Sequence, residues 1–161
     1  MSKKIKRVTN CLLCKNNKLK PIFDLGNLYV SNFVNKKNIL KGIKSPLNLL
    51  YCNNCTLIQL SHLAPQEIMY RRFYWYKSGV TKTMRMGLKK LFIDCVKIAR
   101  LKKNDVVLDI GANDGTLLNY FKQKKIKTVG CEPAKNLTKE LKKNCNFLIN
   151  NFWSKKELFK L

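Results

Sequence analysis

Four of the seven cysteines form two pairs with identical spacing, Cys11-x-x-Cys14 and Cys52-x-x-Cys55. This spacing lets two thiolates reach one ion, and two such pairs complete a closed tetrahedral zinc site. The odd number of cysteines and the lack of an apolar signal-peptide stretch argue against a disulfide framework. A redox CxxC site is the alternative, but neither pair is flanked by a βαβ pattern. The sequence therefore predicts a structural zinc ion held by these four cysteines.

A second candidate site is the segment DIGANDGTLL, residues 109–118, which joins an apolar strand pattern to an apolar helix pattern. A glycine-rich turn of this kind lets the backbone approach a ligand, and the helix N-terminus offers N–H groups to an anion. Glu132 lies 21 residues after Gly111, at the end of the next predicted strand, where a carboxylate can accept hydrogen bonds from both ribose hydroxyls. Because the loop reads G-A-N-D-G rather than G-x-G-x-x-G, S-adenosylmethionine fits it better than a dinucleotide.

The elements around this loop alternate in type. Strands are predicted at residues 105–110, 127–132 and 146–150, each followed by a helical pattern, which is typical of the first half of a Rossmann-like sheet. Upstream, apolar residues recur at helical spacing from Met84 to Ile98 and predict a helix that leads into this sheet.

The predicted fold class is therefore α/β, a small N-terminal zinc-binding domain followed by the first half of a Rossmann-like domain that binds S-adenosylmethionine. We expect the zinc-binding domain at residues 1–65, a linker helix region at residues 66–100 and the partial Rossmann-like domain at residues 101–161.

Other reactive side chains have less specific interpretations. The segment YRRFYWYKSGVT, residues 70–81, contains five aromatic rings, which fill a core or form the wall of a pocket. The three remaining cysteines lie in apolar patterns and are interpreted as packing residues. His62 is the only histidine, so a site that requires two histidines is excluded.

The formal net charge of +24 arises from 33 basic and 9 acidic residues. Only five of the basic residues are arginines, the side chain favoured for base and phosphate recognition, and the lysines are spread along the whole chain. Solvated lysine faces are thus favoured over a nucleic-acid or membrane surface, although a phosphorylated substrate would also account for an anion site. We expect a cytoplasmic protein.

Seven blocks, in order, resemble the C-methyltransferases that act on nucleotide-linked deoxysugars. They are CLLC (11–14), FDLGN (23–27), SNF (31–33), SPLNLLYCNNCTLIQL (45–60), FYWYKSGVT (73–81), VLDIGANDGTLL (107–118) and GCEPAKN (130–136). Members of that family carry a zinc-binding domain, a Rossmann-like domain that binds S-adenosylmethionine and a C-terminal domain that completes the sugar site.

The resemblance implies zinc at Cys11, Cys14, Cys52 and Cys55 and a nucleotide-linked sugar as substrate. It also implies contacts to S-adenosylmethionine from nine residues: Tyr76, Ser78, Gly111, Asn113, Asp114, Gly115, Glu132, Pro133 and Asn136.

One departure from the family bears on catalysis. Family members carry the candidate base in a Tyr-His-Glu-His-like motif beyond the third strand, and these 161 residues contain no such motif. We therefore expect a truncated chain that is inactive alone, in which Tyr76 orients substrate and a downstream fragment supplies the base. The alternatives are a zinc-ribbon protein that binds nucleic acid and an inert truncated methyltransferase paralogue.

Overall fold

The computed structural model describes residues 4–30, 42–72 and 74–160. They form two compact units, residues 1–69 and residues 70–161. The SNF block at residues 31–33 and Phe73 of the aromatic segment lie outside the described residues. Within the described part of the chain, no helix is long and apolar enough to cross a membrane.

The first unit consists of two small antiparallel sheets. Strand β1 (Lys6–Arg7) pairs with β5 (His62–Leu63), and β2 (Leu19–Tyr29), β3 (Lys44–Cys52) and β4 (Ile58–Leu60) form a three-stranded sheet in the order β2-β3-β4. Two register shifts interrupt the pairing of β2 with β3. The second is a turn in which Gly26 has a φ of 73° and its N–H donates to Oδ1 of Asp24 at 2.6 Å.

Few of the described residues of this unit are buried. They are Val8, Cys11, Cys52, Gln59, Ser61 and Pro65, whereas many large apolar side chains of the unit are exposed. A unit with so small an apolar core needs another source of stability, and a metal ion bound by thiolates is a common one in small domains.

The second unit contains a parallel sheet with helices between its strands. After α1 (Lys82–Ile98) the chain runs through β6 (Val106–Ile110), α2 (Thr116–Gln123), β7 (Lys127–Cys131), α3 (Thr138–Asn144), β8 (Phe147–Ile149) and α4 (Lys155–Leu158). The strands lie in the order β6-β7-β8, and both pairings are parallel. The predicted alternation of strands and helices is confirmed, while the division of the chain into three parts stays a prediction.

Two short helical segments complete the chain trace, a π-helical turn at Glu67–Arg71 and a 3₁₀ turn at Lys135–Leu137. The 3₁₀ turn occupies the start of the helix predicted after the second strand, so that helix begins later than its sequence pattern indicates. Pro133 and the extended backbone of Ala134 (ψ of 112°) precede the turn and delay the start of regular α-helix.

Helices α2 and α3 cover the sheet through apolar side chains. Leu118 and Leu141 are fully buried in one cluster, and Phe121 packs edge-on against Phe92 of α1 with ring centroids 4.9 Å apart. Cys95, Cys131 and Cys145 all pack in or against apolar clusters, which confirms their interpretation as packing residues. Gly130 lets α3 approach β7 closely, because a Cβ on Gly130 would lie 2.8 Å from Leu141 Cδ1.

Candidate zinc centre and glycine loop

The two cysteine pairs fold into turns with the same backbone geometry. Lys15 and Thr56 each follow the second cysteine of a pair, and both adopt a left-handed conformation, with φ of 63° and 62°. The N–H of Lys15 donates to the carbonyl of Cys11 at 3.0 Å, and the N–H of Thr56 donates to the carbonyl of Cys52 at 2.9 Å. The two turns therefore present their thiols in the same way.

These turns bring the four sulfur atoms into one cluster. All four lie within 4.8 Å of one another, and the Cys11–Cys55 and Cys14–Cys52 sulfur pairs are each 3.5 Å apart. A tetrahedral zinc ion with Zn–S bonds of about 2.3 Å separates its ligand sulfurs by about 3.8 Å. The donor set and its spacing therefore fit zinc, and the two pairs come together as the sequence predicts.

The pKa values of the cysteines show why this cluster suits a cation. Hydrogen bonding from the backbone of Asn16 and then from Asn54 lowers the pKa of Cys14 to about 6. At Cys55 the backbone of Leu57 favours the thiolate, but burial and the three neighbouring sulfurs outweigh it and raise the pKa to about 12. Four sulfurs this close cannot all ionise against one another's charge, and a divalent ion removes that repulsion.

In the second unit, the parallel register places the glycine loop, residues 111–115, beside the end of β7. Ile110 is the partner of Cys131, and the N–H groups of Gly111 and Ala112 both donate to the carbonyl of Cys131. Gly111 is exposed with a φ of 83°, and a Cβ there would meet no atom within 4 Å. The backbone at Gly111 is therefore open to a ligand.

Gly115, at the other end of the loop, has a different environment. It is buried with a φ of 78°, and a Cβ there would lie 2.7 Å from Asn144 Cβ and 2.9 Å from Leu141 Cδ1. This glycine permits α3 to pack against the start of α2. A role for it in ligand contact stays a prediction.

Glu132 is buried directly after β7, with 5% of its surface exposed. Its Oε2 accepts a hydrogen bond from the N–H of Asn113 at 3.0 Å, and its Oε1 accepts one from the N–H of Ala134 at 2.9 Å. Each carboxylate oxygen can accept a second hydrogen bond. The carboxylate thus lies against the backbone of the glycine loop, where the sequence analysis expected it.

A second carboxyl group lies near the first. Burial, together with repulsion from Glu132, raises the pKa of Asp109, a residue of β6. The carboxyl ends of β6 and β7 therefore carry more negative charge than the surroundings readily solvate, and a ligand with hydrogen-bond donors would lower that cost.

Residues 74–79 form a segment tied to the loop by side chains, and we call it the strap. Oδ1 of Asn113 accepts from the N–H of Ser78 at 2.9 Å, and Nδ2 of Asn113 donates to the carbonyl of Tyr76 at 3.0 Å. Asp114 adds a further tie, because its Oδ2 accepts from the N–H of Gly79 at 2.7 Å. The structure thus brings Tyr76 and Ser78 together with the glycine loop.

Asn136 ties the other end of the strap. Its side-chain amide pairs with both backbone groups of Tyr74, accepting from the N–H at 2.9 Å and donating to the carbonyl at 3.0 Å. Lys77 reinforces the attachment through an ion pair with Glu140 at 2.8 Å. The sequence analysis named Asn136 and placed Tyr74 in the aromatic segment, but it missed the pairing of the two and the role of Glu140, for which the sequence pattern holds no signal.

Two of the three aromatic rings of the strap are exposed. Trp75 is 53% exposed and Tyr76 is 45% exposed, which argues against the core-filling interpretation for these two rings. Pro133 is half-buried between Glu132 and the 3₁₀ turn. Contacts of these residues with a cofactor stay predictions.

Comparison with known proteins gives two matches. Residues 11–70 match the family model of the Methyltransf_13 zinc binding domain. This range of the chain contains all four clustered cysteines. The chain is also similar to the C-methyltransferase NovU of Streptomyces niveus, with 30% identity over 92 residues. That alignment covers 57% of this chain and 22% of NovU, so the chain spans about a fifth of the length of the curated relative it matches.

Proposed function

We propose that the chain is the N-terminal part of a C-methyltransferase that uses S-adenosylmethionine, a proposal supported by the match of residues 11–70 to the zinc binding domain of the Methyltransf_13 family. Its second unit is the first half of a Rossmann-like cofactor domain. The substrate class is a nucleotide-linked keto-deoxysugar. The observation that carries the proposal is the juxtaposition of an open Gly111 with the buried carboxylate of Glu132 at the ends of two parallel strands.

The residues around Glu132 suit the adenosine part of the cofactor. In open α/β sheets, ligands lie outside the carboxyl ends of the strands, the edge that these residues occupy. The free lone pairs of Glu132 suit two ribose hydroxyls, and the exposed backbone at Gly111 admits the rest of the molecule. When bound, S-adenosylmethionine supplies an electrophilic methyl group on its sulfonium.

Asn113, Asp114 and Asn136 act in this proposal mainly through the strap. Their side chains are occupied by backbone groups of residues 74–79, so they determine where Tyr76 and Ser78 lie. Tyr76 then orients the sugar, and its exposed ring leaves the phenol accessible.

The zinc centre has a structural role in this proposal. Four cysteine ligands close the coordination sphere and leave no position for substrate. The ion therefore holds the first unit together, and it takes no part in methyl transfer.

The base that deprotonates the carbon beside the keto group is supplied by a further segment. Proton transfer by such a group typically contributes about 10²- to 10⁴-fold to the rate. The second unit contains no histidine, and the one histidine of the sequence belongs to the first unit. We propose that a downstream fragment carries this group.

The test is transfer of a labelled methyl group to a panel of nucleotide-linked 4-keto deoxysugars. The zinc-loaded chain is incubated with labelled S-adenosylmethionine, first alone and then with a downstream fragment that supplies the candidate base. Transfer only in the combined reaction is the expected result, and the fragment alone is the control. No transfer in the combined reaction, together with salt-dependent binding of an oligonucleotide, would favour the zinc-ribbon alternative.

A further inference from the structure

A cleft of about 730 Å³ opens in the first unit. Its volume lies within the range of about 300–1,000 Å³ that is usual for small-molecule sites. Strand β1 and the residues after it, β2, β3 and the start of β5 form its walls, and none of the four clustered cysteines lines it. The zinc centre therefore does not account for this cleft.

One side of the cleft carries a pair of nitrogen-rich side chains. Arg7 of β1 and His62 of β5 are direct cross-strand partners, and both line the cleft. Directly opposite residues of an antiparallel pair project from the same face of the sheet. The guanidinium presents a fork of N–H donors that matches the oxygens of a phosphate.

The imidazole of His62 has one nitrogen engaged within the protein. Its Nδ1 lies 2.8 Å from Oγ of Ser61, a buried residue that also lines the cleft. This hydrogen bond fixes the ring and leaves Nε2 for a partner outside the Ser61–His62 pair.

Another part of the cleft is rich in hydrogen-bond acceptors. Asp24 of β2 and Asn48 of β3 are direct cross-strand partners and line the cleft as well. Asn48 Oδ1 is buried and has no hydrogen-bond partner among the described residues. A buried acceptor without a partner destabilises the fold, so the position calls for a donor that the described residues do not provide.

A second unpartnered atom lies on the same face of this sheet. Gln59 is 6% exposed and is the cross-strand partner of Leu50, which lines the cleft. Its Oε1 accepts from the N–H of Leu12, whereas its Nε2 has no partner among the described residues. One buried acceptor and one buried donor thus remain open on the sheet face that borders the cleft.

We propose that this cleft binds a phosphate ester that carries hydroxyl groups, such as a sugar phosphate or the sugar-phosphate part of a nucleotide. Arg7 and His62 hold the phosphate, and Asp24 and Asn48 accept hydrogen bonds from hydroxyl groups. Asp24 also excludes polyanions from its side of the cleft, because a second phosphate there would face a carboxylate. The inference rests on the first unit alone and does not depend on the proposed methyl transfer.

The test is a titration of the zinc-loaded chain at physiological ionic strength. Binding is measured by calorimetry and by changes in the backbone NMR chemical shifts. The probes are glucose 1-phosphate, uridine 5′-monophosphate, inorganic phosphate and glucose. At least one of the two esters should bind at one site and shift residues of β1, β2 and β3, and the tighter ester identifies the hydroxyl source. Inorganic phosphate should bind at least about tenfold more weakly, because it lacks the hydroxyl contacts. Failure of both esters to bind, or equal binding of inorganic phosphate, would overturn the proposal.

Two variants separate the two ends of the cleft. Arg7→Gln should weaken the binding of the ester and the binding of inorganic phosphate alike, each by about tenfold or more, because it removes a charge-assisted hydrogen bond. Asn48→Leu should weaken the binding of the ester only. It should leave the melting temperature unchanged or higher, since it removes a buried acceptor that has no partner. Arg100→Gln, an exposed change in the second unit that removes the same charge, is the matched control and should bind as the wild type does. Wild-type affinity in Arg7→Gln, or a lower melting temperature in Asn48→Leu, would contradict the assignment.

Discussion

Replacing Asn113 with alanine should detach the middle of the strap and destabilise the second unit. The side chain of Asn113 makes three hydrogen bonds, from Ser78 N–H, from Asp114 N–H and to Tyr76 carbonyl, and the residue is 7% exposed. A net contribution of about 0.5–1.5 kcal/mol for each of the three hydrogen bonds predicts a loss of about 1.5–4.5 kcal/mol in the free energy of unfolding. The loss falls at the upper end if the freed backbone groups stay out of contact with water.

The assay is urea unfolding of the second unit together with the fluorescence of Trp75. Trp75 lies on the strap, and a Trp153→Phe background leaves it as the sole tryptophan reporter. Asn113→Ala should lower the urea midpoint and make Trp75 more accessible to a soluble quencher. Asn119→Ala in α2 is the matched control, because Asn119 makes no side-chain hydrogen bond with the described residues, and it should change stability by less than about 0.7 kcal/mol.

A result in which Asn113→Ala and Asn119→Ala unfold at the same urea concentration would refute this reasoning. A lower urea midpoint of Asn113→Ala with unchanged quenching of Trp75 would also refute it, because the effect of Asn113 would then lie within the glycine loop and not at the strap.

Three further predictions concern the zinc centre, the partly buried carboxyl group of Asp109 and two glycines. Cys52→Ser should abolish stoichiometric zinc and unfold the first unit while the second stays folded, and equal metal content in mutant and wild type would exclude a four-thiolate site. Burial and then Glu132 raise the pKa of Asp109, so the folded state holds that proton more tightly than the unfolded state does. The contribution of this proton to the free energy of unfolding is present below about pH 4, and it is lost as the pH rises through the folded-state pKa of Asp109. Asp109→Asn should therefore raise the melting temperature at pH 7.5 but not at pH 3.5, and a lower value at pH 7.5 would contradict this sign. Gly130→Ala should destabilise the second unit, because the new Cβ would lie 2.8 Å from Leu141 Cδ1. Gly87→Ala should stabilise the unit by about 0.5–1 kcal/mol, because Gly87 lies within α1 and a Cβ there would meet no atom within 4 Å. Thermal unfolding that gives the two variants the same stability would refute the packing argument.

The features that were predictable from the sequence are those encoded locally. The cysteine pairs have the spacing of metal-binding turns, and the parallel strands follow from apolar runs separated by helical patterns. Strand β6 begins one residue later than predicted and ends at the predicted residue, because the glycine loop follows it.

The features that were not predictable depend on residues far apart in the sequence. Asn136 pairs with a backbone 62 residues away, and Asn113 bonds to residues 35 and 37 positions away. The pairing of Arg7 with His62 likewise arises only when β1 and β5 meet. A side-chain amide or an isolated arginine carries no periodic signal, so tertiary structure alone gives it a partner.

The central claim, that the second unit binds S-adenosylmethionine through Glu132, is tested most directly by calorimetric titration of the zinc-loaded chain. The wild type should bind S-adenosylmethionine at one site and should not bind NAD. Glu132→Gln should weaken that affinity by about tenfold or more, since it removes a charge-assisted acceptor, while Asp94→Asn on the exposed face of α1 should leave it unchanged. Equal affinity for S-adenosylmethionine in the wild type and a folded Glu132→Gln variant, or preferential binding of NAD, would contradict the account.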